Sequence, residues 1–175
     1  KHILNVKDIK LRGKHNYENI CTALGATKTL VDTEVACEAI KTFTGVEHRL
    51  ELIREIDGVK WYNDSVSSSP TRTIAGLNSY NEEIVLIAGG YDKNLDYTPI
   101  AKPIVENVKT LILLGQTSGK IFEAVKNELE KQGVSLSLVE AWGKGGEGAK
   151  DIAEKIVTLC EEKNNFSNTY SLNDS

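Results

Sequence analysis

The feature that most constrains the fold is an alternation of short apolar runs and amphipathic stretches over residues 83–139. The runs at 83–88, 108–114 and 134–139 are those of strands in a parallel sheet that is buried on both faces. Between them, Thr98-Pro99 begins a helix that extends to about residue 107, and a second helix occupies residues 118–132 before Gly133. The pattern predicts an α/β fold with a Rossmann-like, mostly parallel sheet flanked by helices.

The residues before this domain predict smaller elements. Loose apolar alternation in residues 1–12 predicts one or two strands, and short helices follow at 16–25 and from Asp32 or Thr33 to about Gly45. The second helix has an apolar face made of Val35, Ala36, Ala39, Ile40 and Phe43. These pieces cannot close a core alone, so we predict that residues 1–45 are the tail of a larger domain.

A hairpin and an incomplete domain are predicted next. Residues 49–56 and 59–63 flank Asp57-Gly58, a strong two-residue turn signal, and Ser69-Pro70 then begins a helix. We assign residues 46–163 to one incomplete Rossmann-like domain that ends in a helix at 151–160. Residues 164–175 are polar and predict a disordered tail.

Composition excludes several functions. A net charge of −4 favours neither nucleic acid nor an anionic membrane, and the apolar runs are too short to cross a bilayer. Residues 1–15 contain no apolar segment of the kind that a signal peptide needs. The three cysteines, Cys21, Cys37 and Cys160, lack metal-ligand spacing and predict small buried side chains in a reducing cytosol.

Two segments follow strand ends, where open α/β sheets bind ligands. Gly89-Gly90 allows the backbone to approach a ligand closely, and Lys93 offers a cation to an anion, although such loops also occur on surfaces without ligands. Asp64 ends the hairpin. Either its carboxylate accepts from ribose hydroxyls, or Asn63, Asp64 and Ser65 form an Asx turn that caps the following helix. The residues alone leave both alternatives open.

Further candidates precede these segments. Asn16 and Asn19 share one helix face, where amides match the edge of adenine or are simply exposed. Arg49 meets a phosphate or forms a surface ion pair. The glycine-rich residues 143–148 predict a loop, and no Gly-x-x-x-x-Gly-Lys-[Ser/Thr] occurs in the 175 residues. Such a loop grips the phosphates of ATP, so a complete ATP site would need residues from elsewhere.

These signals occur together in one order. Gly-x-His-Asn-x-x-Asn at 13–19 precedes Phe-x-Gly-x-x-His-Arg-x-Glu at 43–51, Asn-Asp-Ser at 63–65 and Gly-Gly-x-x-Lys at 89–93. The combination resembles the Mur ligases of peptidoglycan synthesis over about residues 1–139, and it is most similar to their D-glutamate-adding members.

The resemblance implies a cytoplasmic, monomeric, three-domain enzyme that uses ATP and Mg²⁺ to join D-glutamate to UDP-MurNAc-L-Ala through an acyl phosphate. The residues that match ligand contacts form two groups: Asn16, Asn19, Arg49 and Asp64 for the nucleotide, and Ser68 and Lys93 for D-glutamate. In the first group the amides match adenine contacts, the arginine a nucleotide contact and the carboxylate the ribose contact. The Mg²⁺ ligands are expected outside this sequence, and residues 1–45 correspond to the end of the central ATPase domain.

The chain departs from the family at two places. Many relatives carry Lys after Asn-Asp-Ser, where this chain has Val66, and Arg72 is a candidate replacement. A Ser-Pro-Ala-Cys-Ala-Ser-type run that closes on D-glutamate is absent, and residues after about Ala141 do not match; a truncated or frameshifted gene, or a divergent tail, explains this. We predict a ligase fragment that is inactive alone. The alternatives are another Mur-type ligase, such as a folylpolyglutamate synthetase-like protein, and a non-catalytic nucleotide-binding remnant.

Overall fold

The computed structural model of the chain describes residues 3–134 and the backbone of residues 137–140. Its contacts divide the chain into two compact units with a boundary between Tyr80 and Asn81. The predicted domain boundary at 45/46 stays a prediction. The predicted helix at 151–160, the predicted tail at 164–175, Cys160 and the glycine-rich residues 143–148 lie outside the described residues.

The first unit begins with two helices. A single 3-10 turn at Val6–Asp8 stands where residues 1–12 predicted one or two strands, so that prediction is wrong for the described residues. Alternation alone does not make a strand, because a strand also needs a partner for its backbone groups. Helix α1 spans Lys14–Thr27 and helix α2 spans Thr33–Thr42, which confirms both predicted helices and extends the first.

The predicted hairpin is confirmed. Strands β1 (Glu51–Ile56) and β2 (Val59–Asn63) pair antiparallel in a two-stranded sheet of their own. Asp57 and Gly58 connect them with φ angles of 50° and 78°, as a tight turn with two left-handed residues requires. Helix α3 (Pro70–Leu77) follows with proline in its first turn. Ser69 occupies the N-cap position, yet its side chain makes no cap hydrogen bond.

The first unit has almost no core of its own. Among residues 3–80, only Gly76 and Leu77 are buried. The apolar face predicted for α2 is partly exposed: Val35 is 59% and Phe43 48% accessible, while Ala36 and Ile40 are half-buried. Cys21 is exposed and Cys37 is half-buried, so the prediction of buried cysteines is wrong for Cys21. In this unit, helix amphipathicity therefore marks a face that lacks a covering layer.

The second unit confirms the predicted α/β fold. A 3-10 turn at Thr98–Ile100 leads into α4, and the elements in order are β3 (Ile84–Gly90), α4 (Ala101–Asn107), β4 (Val108–Gly115), α5 (Ser118–Gln132) and β5 (Ser137–Glu140). The sheet has the order β3-β4-β5, and both pairings are parallel. Each parallel connection runs through a helix, as chain geometry demands.

The core of this unit lies between β4 and its helices. Leu111, Ile112 and Leu113 are at most 1% accessible, as expected for a central strand covered on both faces. From α5, the residues Ile121, Val125 and Leu129 are buried with the predicted helical spacing, and Gly133 ends the helix with a φ of 66°. Strand β3 differs from prediction, because its residues alternate between half-buried and exposed. On its more exposed face, Val85 and Ile87 are 51% and 42% accessible.

Candidate functional site

Several predicted nucleotide contacts of the first unit gather near the start of α1. Burial lowers the pKa of His15, the neighbouring Arg49 guanidinium lowers it further, and the Asp64 carboxylate opposes both. These charges influence His15 because both side chains lie close to it. Residues 15, 49 and 64 come from three separate segments, so only folding brings them together, and Asn16 follows His15 directly.

The two asparagines are partly engaged within the chain. The Asn16 Nδ2 donates to the carbonyl oxygen of Arg12 at 2.6 Å, which fixes this amide against the turn before α1. The Asn19 Nδ2 approaches Asn16 Oδ1 at 3.5 Å, a long contact at an exposed position. Both amides therefore lie on one face of α1, as the spacing predicted, and their contact with adenine stays a prediction.

Asp64 holds the segment before β1. Its Oδ1 accepts from the backbone N–H of Leu50 at 3.1 Å, and Leu50 has a φ of 45°, which costs a branched residue about 1–2 kcal/mol. The Asx turn of the alternative is confirmed, because Asn63 Oδ1 accepts from Ser65 N at 3.1 Å. The cap is not, because Ser69 is the N-cap residue of α3 and no side chain makes a cap hydrogen bond there. The positional argument for Asp64 also fails, because the hairpin is separate from the parallel sheet.

The same segment is fixed by three further contacts around His48. Glu51 Oε2 accepts from the His48 N–H at 2.8 Å, and the His48 carbonyl accepts from Val66 N at 3.2 Å. Asn63 Nδ2 lies 2.8 Å from His48 Nδ1. Arg49, between the two left-handed residues, is exposed and forms no ion pair within the part of the chain that is described. The structure thus gives no support to the surface ion pair that was the alternative for Arg49.

Sequence reasoning missed an aromatic cluster beside these residues. The Arg12 guanidinium lies 5.6 Å from the ring centre of Tyr62 and 5.2 Å from that of Tyr80. The two rings meet edge to face with centres 5.2 Å apart. Cation–π contacts of this kind are favourable when partly desolvated, and they anchor the turn whose carbonyl accepts from Asn16. No spacing rule links these three residues.

The predicted D-glutamate contacts lie in different units. Ser68 is exposed in the first unit, near Val66. Arg72 Nη1 lies 3.4 Å from the Val66 carbonyl oxygen, so the guanidinium stands beside the position where many relatives carry lysine. Lys93 is exposed in the second unit, directly after the β3 terminus.

The β3 terminus is shaped by two glycines. Gly89 has a φ of 130° and packs against the backbone of Leu114, its partner in β4. Gly90 has a φ of 135°, and its carbonyl accepts from Thr117 N at 3.2 Å. The close approach at Gly89 is therefore to β4, and the expected approach of this backbone to a ligand stays a prediction.

Another surface feature lies away from the predicted site residues. A surface groove of about 580 Å³ is lined by Thr98, Ala101 and residues of α5, and it contains none of the predicted site residues. Over residues 3–134, no group of three His, Cys, Asp or Glu side chains could hold a metal ion. No helix in the described part of the chain is long and apolar enough to span a membrane.

Comparison with known proteins identifies relatives. The chain is 52% identical over 131 residues to a UDP-N-acetylmuramoylalanine–D-glutamate ligase of Acetivibrio thermocellus, a match that covers 75% of this chain and 28% of the relative. It is 45% identical over 163 residues to the ligase of that name from Clostridium beijerinckii and 42% identical to that from Clostridium novyi. Both of these matches cover 91% of this chain and 36% of the relative.

The chain is therefore similar to ligases of this name, in agreement with the resemblance of its motifs to the Mur ligases. Within that class, the relatives just described carry the name of the D-glutamate-adding enzyme. The chain spans only 28–36% of their length. A match that covers 91% of the chain must extend beyond residue 141, so the expectation that the resemblance ends near residue 139 is wrong.

A second comparison concerns the C-terminal part. A family model described as formate–tetrahydrofolate ligase matches residues 105–175. This is less than half of the chain. The matched range includes all of residues 141–175, where the expected Mur-type closing motif is absent.

Proposed function

We propose that this chain is part of an ATP-dependent ligase that adds D-glutamate to UDP-MurNAc-L-Ala in peptidoglycan precursor synthesis. The observation that carries the proposal is the 45% identity to a ligase of that name over 91% of the chain. The parent enzyme is proposed to be cytoplasmic and monomeric. The gathering of Arg49 and Asp64 around His15 supports a nucleotide site in the first unit.

Residues 1–45 are proposed to be the end of a central ATPase domain. The support is physical: α1 and α2 contain no buried residue, while Val35 and Phe43 remain exposed on one face of α2. An exposed apolar face of this kind is normally covered by another layer. In this proposal, the remainder of the parent domain is that layer. Residues 46–163 then form the incomplete C-terminal domain.

The first unit fits the nucleoside part of ATP. Asp64 Oδ1 is engaged by Leu50, whereas Oδ2 has no hydrogen-bond donor among the described residues and can accept from a ribose hydroxyl. Exposed Arg49 offers a cation to a phosphate, and the amides of Asn16 and Asn19 are proposed to contact adenine. ATP supplies the phosphoryl group that activates the substrate carboxylate. The Mg²⁺ ligands and phosphate loop are proposed to lie in the remainder of the parent enzyme.

Three side chains are proposed to contact D-glutamate. Lys93 offers an exposed ammonium and Ser68 a hydroxyl, and a dianionic amino acid suits both. Arg72 is proposed to replace the lysine that many relatives carry at position 66, since its guanidinium stands beside the Val66 carbonyl. Its planar fork favours a carboxylate.

A second candidate function applies to the C-terminal part. Residues 105–175 match the formate–tetrahydrofolate ligase model, and this range begins after Lys93, the last residue of the Mur-type motifs. Under this candidate, the β4–α5 region and the residues beyond it belong to a ligase that acts on formate and tetrahydrofolate. A folylpolyglutamate synthetase-like activity and a non-catalytic nucleotide-binding role complete the set of candidate functions.

The test is ADP release in two settings. The 175-residue chain alone should give no turnover with ATP, Mg²⁺, UDP-MurNAc-L-Ala and D-glutamate, because phosphoryl transfer depends on a phosphate loop and metal. Joined to the part of the Clostridium beijerinckii ligase that the match leaves uncovered, the chain should turn over with D-glutamate and much less with L-glutamate. Turnover by the chain alone would reject the hypothesis that it is an inactive fragment of a larger ligase. Turnover of the joined enzyme only with formate and tetrahydrofolate would favour the second candidate.

A further inference from the structure

The loop that carries Lys93 is tied to the β4–α5 turn. Gln116 Oε1 accepts from the Asp92 N–H at 3.1 Å, and Lys120 Nζ lies 2.7 Å from Asp92 Oδ2. The other carboxylate oxygen, Asp92 Oδ1, accepts from the Asn94 N–H at 2.8 Å. Asp92 therefore uses both oxygens and its amide in contacts that fix the backbone on each side of Lys93.

Lys93 itself is free to act on a ligand. It is exposed, and within the described residues it forms no ion pair and no hydrogen bond. Its neighbour in sequence is a carboxylate, which is an alternative partner for the ammonium and would repel an anion. The Asp92 carboxylate is ionised at neutral pH without any help, and the hydrogen bonds from Lys120 and the Asn94 amide lower its pKa further. Lys120 forms an ion pair with this carboxylate, which is then not available to Lys93.

We propose that Lys120 and Gln116 are positioning residues for D-glutamate binding, which act on Lys93 through Asp92. Gln116 and the Asx turn of Asp92 fix the loop backbone. Lys120 neutralises Asp92, so that the three charges Asp92, Lys93 and Lys120 leave one net positive charge for a substrate carboxylate. This inference rests on the proposed function and adds the β4–α5 turn to it.

The charge argument separates this role from a purely structural one. Lys120→Met leaves Asp92 without its partner and removes the net positive charge. The double variant Asp92→Asn/Lys120→Met removes both charges, restores the net charge of the loop, and keeps an oxygen that accepts from the Asn94 N–H. A structural role predicts that the double variant is at least as impaired as the single one, whereas the electrostatic role predicts that it is less impaired.

The experiment measures KM for D-glutamate and for ATP in the joined enzyme described above. Lys120→Met should raise the D-glutamate KM about three- to fivefold, the range for partly exposed charge pairs, and change the ATP KM less than about twofold. Lys120→Arg and the double variant should return the D-glutamate KM most of the way. Circular dichroism melting of each variant identifies any that fails to fold, and the double variant then carries the test.

Several outcomes would overturn the inference. Equal rises of both KM values, or a double variant as impaired as Lys120→Met, would mean that the contacts of Lys120 and Gln116 with Asp92 have a structural role only. If Lys93→Ala raises the D-glutamate KM and Lys120→Met does not, the proposed function stands and the positioning role is rejected. If Lys93→Ala has no effect while D-glutamate is still used, both the Lys93 assignment and this inference fail. Absence of any D-glutamate turnover rejects the inference together with the proposed function.

Discussion

Two adjacent glycines at the end of β3 provide a matched test of the structure. Gly89 and Gly90 have nearly equal φ angles of 130° and 135°, a backbone region that residues other than glycine rarely adopt. They differ in space: a Cβ on Gly89 would collide with the Leu114 carbonyl oxygen, whereas a Cβ on Gly90 would meet nothing within 4 Å. Alanine at either position therefore brings the same conformational cost, and only Gly89→Ala adds a collision.

The expected magnitudes follow from these two contributions. The backbone conformation costs alanine about 1–3 kcal/mol at either site. The collision at Gly89 involves backbone atoms of the paired strand β4, which cannot move aside as a flexible side chain can. Overpacking of this kind costs about 1–3 kcal/mol more. We expect Gly89→Ala to lower the free energy of unfolding by about 2–6 kcal/mol and Gly90→Ala by about 1–3 kcal/mol.

The assay is urea unfolding of the 175-residue chain followed by far-ultraviolet circular dichroism. Hydrogen exchange of the β4 amides assigns the loss to the second unit. Gly119→Ala is the control, since Gly119 lies in α5 with open space around it and should change stability by less than about 1 kcal/mol. Equal shifts for Gly89→Ala and Gly90→Ala would refute the close β3–β4 approach on which the Lys93 loop depends.

Three further predictions concern the candidate site. In the joined enzyme, Lys93→Ala should raise the KM for D-glutamate about ten- to a hundredfold, the value of one charge-assisted hydrogen bond, and change the KM for ATP little. Equal rises of the two KM values would indicate that Lys93 is structural or binds a phosphate. Asp64→Asn should raise the ATP KM but keep the melting temperature, because an amide oxygen still accepts from Leu50 N. Asp64→Ala should also lower stability by about 1–2 kcal/mol. Unchanged ATP kinetics in both variants would mean that Asp64 only holds the segment around Leu50. The folded pKa of His15 lies below its ordinary value of 6.5, so the unfolded chain binds more protons and stability should fall as the pH drops from 6.5 through the folded pKa. The urea midpoints of His15→Gln between pH 7.5 and 5 should therefore depend less on pH than those of the unmodified chain. Equal pH dependence in the two proteins would contradict the burial of His15.

Local patterns in the sequence determined most of the second unit and the hairpin. A continuous apolar run indicated β4, a helical period indicated α5 with Gly133 at its end, and Asp57-Gly58 fixed the turn between β1 and β2. These features depend on residues that are close in sequence, so the local sequence is sufficient to predict them. The ordered motifs also pointed to Mur ligases, because each motif is weak alone and their order is specific.

Tertiary structure alone decided which side chains meet. Asp64 holds Leu50, which lies fourteen positions earlier in the chain, and Lys120 holds Asp92 across the β3–β4 pairing. Neither contact follows from periodicity, since each depends on where the chain returns after a turn or a parallel crossover. For the same reason, alternation in residues 1–12 predicted strands that the described residues do not form, and an apolar run predicted a β3 covered on both faces. Burial and pairing depend on a partner surface, and a segment's own sequence specifies only its readiness for one.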